Sequence, residues 1–232
     1  MEKDFSFVNR KENTRSIDRH PVISFDLSEI QKHFSDTLSE INRRYRTASY
    51  YQIIGHERDA NYIWRSQIVF LESAFDFFMH EVTKYGLRKI FDGDWDETEK
   101  YWHIMVDMGT LSKTLGNAED AGWFLEYINQ YYRKDTFTSY ESVKDQLNLL
   151  GLDIKTVAKT VFYQHGATEK PNDKLKRRLN ELFARRNIIA HQSNRRHEDA
   201  VEYALNDTIV RDFVTDISKI VAAICDKCKK KK

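Results

Sequence analysis

The stretch RDANYIWRSQIVFLESAFDFFMHEVTKYGL, residues 58–87, holds no proline and a single glycine, next to its end. Wound at 3.6 residues per turn, it is apolar on most sides, through Ile63, Val69, Phe70, Leu71, Ala74, Phe75, Phe77, Phe78 and Val82. A helix of that kind must bury itself among other helices, which points to a bundle. Its polar residues fall on one narrow stripe: Arg65, Glu72, Asp76 and His80, spaced by seven, four and four. The stripe reads either as a solvated edge with local ion pairs or as a polar wall facing a cleft.

The rest of the chain supplies the partners. Only 2 Pro and 8 Gly punctuate 232 residues, too few for a many-turned β architecture. VISF (22–25) suits a short strand. A helix begins after Asp26, with Ser28 and Gln31 at capping-box spacing. Ile30, Phe34, Leu38, Ile41 and Tyr45 carry its apolar stripe to about Ile54, ahead of Gly55. Shorter helices are predicted over 118–132, 139–150 and 153–164, with Gly151 and Gly166 as C-caps of the last two. Residues 92–118 are less regular: DGDWDE reads as a loop, and HIMV as a strand or a helix fragment. Pro171 opens a helix over 171–192 that buries Leu175, Leu179, Leu182, Phe183, Ile189 and Ala190. A last helix, about 206–228, is capped by Asn206 or Asp207 and buries Ile209, Phe213, Ile217, Ile220, Val221 and Ile224. The expected fold class is all-α. A polar arm (1–25) precedes one helical domain (26–232), a four-helix core with short helices inserted at about 92–168.

A net charge of +1 gives the whole chain no bias toward nucleic acid, so any basic site is local. No apolar run is long enough to span a bilayer. The charged start MEKDFSFVNRKENTR lacks an apolar signal core, and the expectation is a cytoplasmic chain with no membrane partner. Cys225 and Cys228 form a CDKC near the end. Two thiols cannot close a four-ligand zinc site alone, and a redox CxxC belongs in a βαβ setting. They read as reduced thiols on a helix.

Against that background RRNIIAH, residues 185–191, interrupts an apolar helix. Leu175, Leu179 and Leu182 step by four and three, and the next position in that register is Arg186. A guanidinium there must be paired or reach a cleft, because burying it alone costs several kcal/mol (~3–5). Arg185, about 100° away, is expected to face solvent. His191 lies five residues on, about 140° around an ideal helix. The two side chains converge only if the helix frays or tightens, or if a second protomer completes the site. Both residues also suit a plain helix end, where cations offset the macrodipole. The same residue types serve metal-free RNA cleavage. An imidazole near neutral pKa moves protons to and from the 2′-hydroxyl and the leaving 5′-oxygen, and a guanidinium holds the phosphorane-like charge. Asn187 could orient either. The stretch contains no metal-binding set, and no cofactor is expected. From Lys170 to His197 there are nine Lys/Arg against two acids, a local excess suited to phosphate. Arg195 and Arg196, in the loop after His191, are best placed to hold RNA beside Arg185.

Arg186, Asn187 and His191, as RNIIAH within LNELFARRNIIAHQ and ahead of FVTDISKIVAAI, resemble the HEPN superfamily and most of all its RiboL-PSP-like branch. The signature there is an arginine and a histidine separated by four to six residues, commonly with asparagine directly after the arginine. The similarity covers roughly 58–90 and 171–226. It implies a metal-independent endoribonuclease leaving 2′,3′-cyclic phosphate ends, with Arg186 and His191 catalytic. It implies a homodimer whose two motifs face each other across one composite cleft, often within a bacterial toxin–antitoxin or anti-phage system with an antitoxin or sensor partner. An acidic residue of an earlier helix often borders that cleft, and Asp76 is the candidate. Some members of the superfamily are non-catalytic helical modules that bind a partner protein or nucleotide, and this is the alternative.

Overall fold

Local caps set the helix boundaries. Asp26 Oδ1 accepts from the Ser28 and Glu29 amides at 2.8 and 2.9 Å, and Glu29 Oε2 accepts from the Asp26 amide at 2.9 Å. The capping box therefore closes two residues earlier than the expected Ser28–Gln31 pair. A carboxylate at a helix start is favoured by the dipole and makes the stronger, charge-assisted bond. The computed structural model describes residues 22–115, 121–196 and 198–231. Most of the expected N-terminal arm, residues 1–21, and residues 118–120 of a predicted helix lie outside the described residues.

Helices α1 (Leu27–Ile53) and α2 (Glu57–Phe91) form an antiparallel hairpin turned at Gly55, whose φ of +79° suits glycine. Residues 22–25 join no strand. An all-helical bundle offers no sheet edge to them, and Phe25 instead sets its ring edge-on against His33, centroids 4.8 Å apart. Short helices follow: α3 (Glu99–Trp102), α4 (Met108–Thr114), α5 (Ala121–Tyr131), α6 (Tyr140–Leu149) and α7 (Ile154–Phe162). HIMV (103–106) is neither strand nor helix but an irregular link between α3 and α4. Two long helices close the chain, α8 (Pro171–Gln192) and α9 (Asp207–Lys230). Asn206 caps α9 by accepting from the Ile209 amide at 3.0 Å. Gly151 ends α6 as expected, in a Schellman turn with φ +69° and Leu152 N–H donating to Leu147 O at 2.8 Å. Gly166 does not cap α7, which stops at Phe162 as Tyr163 turns extended.

The core is built around α2, which packs on α1, α8 and α9. Trp64, Ile68, Phe75, Phe78 and Met79 are fully buried there. Each large apolar side chain so placed contributes about 2–3 kcal/mol. Phe70 and Phe77 sit on the remaining face and are each 45% exposed, so the helix is less uniformly buried than its sequence predicts. The middle segment shares this core: α5 and α6 pack on α2, α6 and α7 on α8, and α7 on α9. Leu147, Leu150, Val157 and Ala158 are buried. The fold is an all-α bundle. Among the described residues there is no strand, only one antiparallel bridge between Arg195 and Glu202. None of the helices among the described residues is long and apolar enough to cross a membrane.

Candidate functional site

The polar stripe of α2 fixes the site. Glu72 is 2% exposed, and its Oε1 accepts from Thr138 Oγ1 at 2.9 Å. One turn on, Asp76 Oδ1 accepts from the Phe137 amide at 2.6 Å. One turn further, His80 stacks on the Phe137 ring, centroids 4.3 Å apart, with Nε2 3.2 Å from Asp135 O. The stripe is largely a docking strip for residues 135–138, and its Asp76 and His80 also line one end of a cavity between α2 and α5. At its other end Arg65 pairs with Glu202.

Arg186 reaches this strip from α8. Its Nε lies 3.3 Å from Glu72 Oε2, and its Nη1 donates to Asn187 Oδ1 at 3.0 Å. The Nε–H is not aligned for a hydrogen bond, so Coulomb attraction carries the contact. The guanidinium remains about a third exposed, at 32%. Burial raises the Glu72 carboxyl above its usual range; the Thr138 hydrogen bond and then Arg186 oppose that rise, and Asp76 adds to it. Sequence placed Asp76 at the cleft border, but the acid that meets Arg186 is Glu72. Asp76 sits one turn away with its carboxylate engaged by the 135–138 segment. Glu72 was visible on the stripe, yet nothing in the sequence ties it to Arg186 or Thr138, 114 and 66 residues away.

His191 is exposed in the last turn of α8, and its side chain has no hydrogen-bond or ion-pair partner among the described residues. The helix is intact there, running to Gln192 and ending at Ser193 with φ +50°. Fraying does not bring His191 round to Arg186, and about 140° of rotation and roughly 7.5 Å of rise separate their positions.

The other arginines differ from expectation. Arg185 does not face solvent: it is half-buried, with its guanidinium over the Tyr203 ring at 5.5 Å and Nη1 buried without a hydrogen bond. Burial lowers its pKa below the ordinary guanidinium value. Tyr203 arrives there through a tight hairpin held by buried Asn194. Its φ is +62°, its Nδ2 donates to Tyr203 O at 3.0 Å, and its O accepts from the Tyr203 amide at 2.9 Å. Arg195 Nη2 pairs with Glu202 at 3.0 Å, and Arg196 with Asp199 at 2.7 Å. Along α8, Arg177 pairs with Glu169 and Glu181, Arg178 with Asp216 and Glu181, and Lys176 with Glu141. The basic excess counted in sequence is thus largely met by acids from outside the window. The buried face of α8 is also shorter than predicted: Leu175, Leu179 and Leu182 are buried, Phe183 and Ile189 half-buried, and Ala190 exposed.

Cys225 and Cys228 are both buried free thiols on α9, and burial pushes them up to about 11 and about 12. Among the described residues no group of three or more His, Cys, Asp or Glu could hold a metal ion. Compared with family models, curated proteins and solved structures, the chain matches none.

Proposed function

We propose that the chain is a metal-independent endoribonuclease in which His191 moves protons and Arg186 steadies the charge on the scissile phosphate. The observation that carries this reading is the pairing of opposites on one helix. Arg186 is a cation held from behind by a buried carboxylate, still open to solvent on one side. His191, five residues further on, is an exposed imidazole free of partners among the described residues. A fixed cation and a free proton carrier are what 2′-hydroxyl attack needs. With the two positions about 140° apart on one helix, this reading pairs Arg186 of one copy with His191 of a second on the same phosphate, in a homodimer. Asn187 keeps the guanidinium plane in place. Unrestrained cleavage of RNA harms the host cell, so a toxin–antitoxin or anti-phage setting, with an antitoxin or sensor as partner, suits this activity.

One observation favours the alternative, a non-catalytic helical module that binds a partner protein or nucleotide. Arg195 and Arg196 are already ion-paired, which weakens the pull on RNA. The two readings separate on incubating wild type and His191→Ala with tRNA and rRNA, with and without EDTA, and mapping the ends. The ribonuclease reading expects cuts with 2′,3′-cyclic phosphates, insensitive to EDTA and lost in His191→Ala. Cleavage by the variant at the parent rate, or a strict metal requirement, refutes it. Wild type that cuts no RNA fits the module and equally a ribonuclease that its sensor has not triggered, so the cleavage-positive outcomes are the ones that separate the readings.

A further inference from the structure

A row of apolar side chains on α2 stays uncovered among the described residues. Tyr62 is 74% exposed, and Phe70 and Phe77 are each 45% exposed. With half-buried Val69 they fall within about 100° of one another around the helix. Large apolar side chains exposed in one row mark a contact surface, unlike the same residues scattered singly. At one end the row borders a groove of about 370 Å³, lined by Tyr62, Ser66, Val69 and Phe70 of α2 and by Ile189 of α8. Ile189 stands three residues, one helical turn, from Arg186. At the other end of the row the chain itself arrives. Phe25 sets its ring edge-on against His33, and the His33 and Phe77 ring centroids are 6.1 Å apart. Val22, the first described residue, precedes Phe25 by three positions, which is at most about 10 Å of chain. Residues 1–21 are therefore tethered beside this face of α2.

We propose that residues 1–21 dock back on this face, with FSFV (5–8) seated in the groove between α2 and α8. Phe5, Phe7 and Val8 are the one cluster of large apolar side chains in that segment. In an extended stretch Phe5 and Phe7 point the same way, so both can enter one groove. The reach is sufficient. From Phe77 to Tyr62 is 15 residues of helix, about 22 Å. From Phe7 to Val22 is 15 residues of chain, up to about 50 Å when extended. The tether also gives the segment an effective concentration on the order of millimolar, so modest apolar contact suffices to seat it. A second copy or an unlinked partner, without that tether, needs a higher affinity to displace it. Seated there, the segment lies about one helical turn from Arg186 and narrows the approach to the guanidinium. The docking does not rest on the ribonuclease reading; any restraint on RNA reaching Arg186 does.

The test is disulfide trapping in the full chain, with Ser6→Cys between the two phenylalanines and Ser66→Cys in the groove. Cys225 and Cys228 are buried, so the introduced thiols react first. In a control chain Lys155→Cys, exposed on α7, replaces Ser66→Cys. Isotope-labelled and unlabelled protein are mixed and mildly oxidised. Mass spectrometry of the peptides then reads which positions are joined and whether they belong to one chain. The bond between positions 6 and 66 is expected to form within one chain, at least about tenfold faster than the bond between 6 and 155. Adding Phe5→Ala and Phe7→Ala should bring the two rates together. Ser73→Cys, exposed further along the same face, is the second probe should Ser66→Cys fail to fold. Equal rates at positions 66 and 155, or a fast rate at 66 that survives loss of both phenylalanines, overturns the proposal. So do bonds formed chiefly between labelled and unlabelled chains, which assign the groove to a second copy. None of these readouts depends on cleavage.

Discussion

Replacing Glu72 with glutamine should leave the protein as stable as before, or more stable, at neutral pH. Glutamine keeps the volume and the oxygen that accepts from Thr138 at 2.9 Å. It removes a charge that is 2% exposed and whose pKa burial has raised in spite of Thr138 and Arg186. The opposing loss is Arg186's partner. Orphaning a fully buried guanidinium costs about 3–5 kcal/mol. Arg186, however, is 32% exposed and keeps Asn187, so its loss lies nearer the value of a surface pair, up to about 1 kcal/mol. The expected net is a change between zero and a gain of about 1 kcal/mol, which raises Tm by at most about 2–4 °C. The pH dependence fixes the sign. A carboxyl whose folded pKa is raised binds more protons folded than unfolded between the two values. Wild type therefore gains stability as pH falls from above the raised folded value toward the ordinary 4.5 of glutamate. The advantage of Glu72→Gln should be largest near pH 7 and shrink on acidification. Thermal melts of both proteins from pH 7 to pH 4.5 measure it. A variant less stable by more than about 2 kcal/mol at pH 7 that recovers relative to wild type on acidification would mean that the ion pair stabilises the fold, and the reasoning would fail. The expected outcome is a half-buried pair with no net stabilising role, which is compatible with a functional placement of Arg186.

Two further predictions concern the core. Gly86 lies where α2 meets the middle segment, and a Cβ there would sit 2.7 and 2.8 Å from the Leu150 methyls and 2.8 Å from the Trp95 ring. Gly86→Ala gains about 1 kcal/mol of helix propensity but overpacks by more, for a net loss on the order of 1 kcal/mol and a Tm about 2–4 °C lower; an unchanged or higher Tm would show that Leu150 yields freely. Cys225 and Cys228, held near 11 and 12, should resist iodoacetamide in the native state at pH 8, about 100-fold or more slower than a free thiol, and react promptly in denaturant; mass spectrometry reads both, and rapid native labelling would contradict the burial.

The sequence by itself determined the all-α class, the four long helices and most of their limits, because hydrophobic period, proline and glycine act within a few residues of where they stand. Pro171 opening α8 and Gly151 closing α6 are cases where the local signal and the fold agree. The capping box was misplaced by two residues because Asp26 and Ser28 both offer an acceptor, and only the carboxylate's stronger bond separates them. The RRNIIAH motif was legible as a group of residue types, and its angular geometry on a continuous helix followed from the spacing. What surrounds it was not legible. That Glu72 rather than Asp76 meets Arg186, that Tyr203 covers Arg185, and that Arg195 and Arg196 are ion-paired all depend on residues brought together across helices. Each side chain's charge and period can be read along the chain. Its partner is chosen by the packing of α2, α8 and the 135–139 and 194–203 segments, and only tertiary structure decides that.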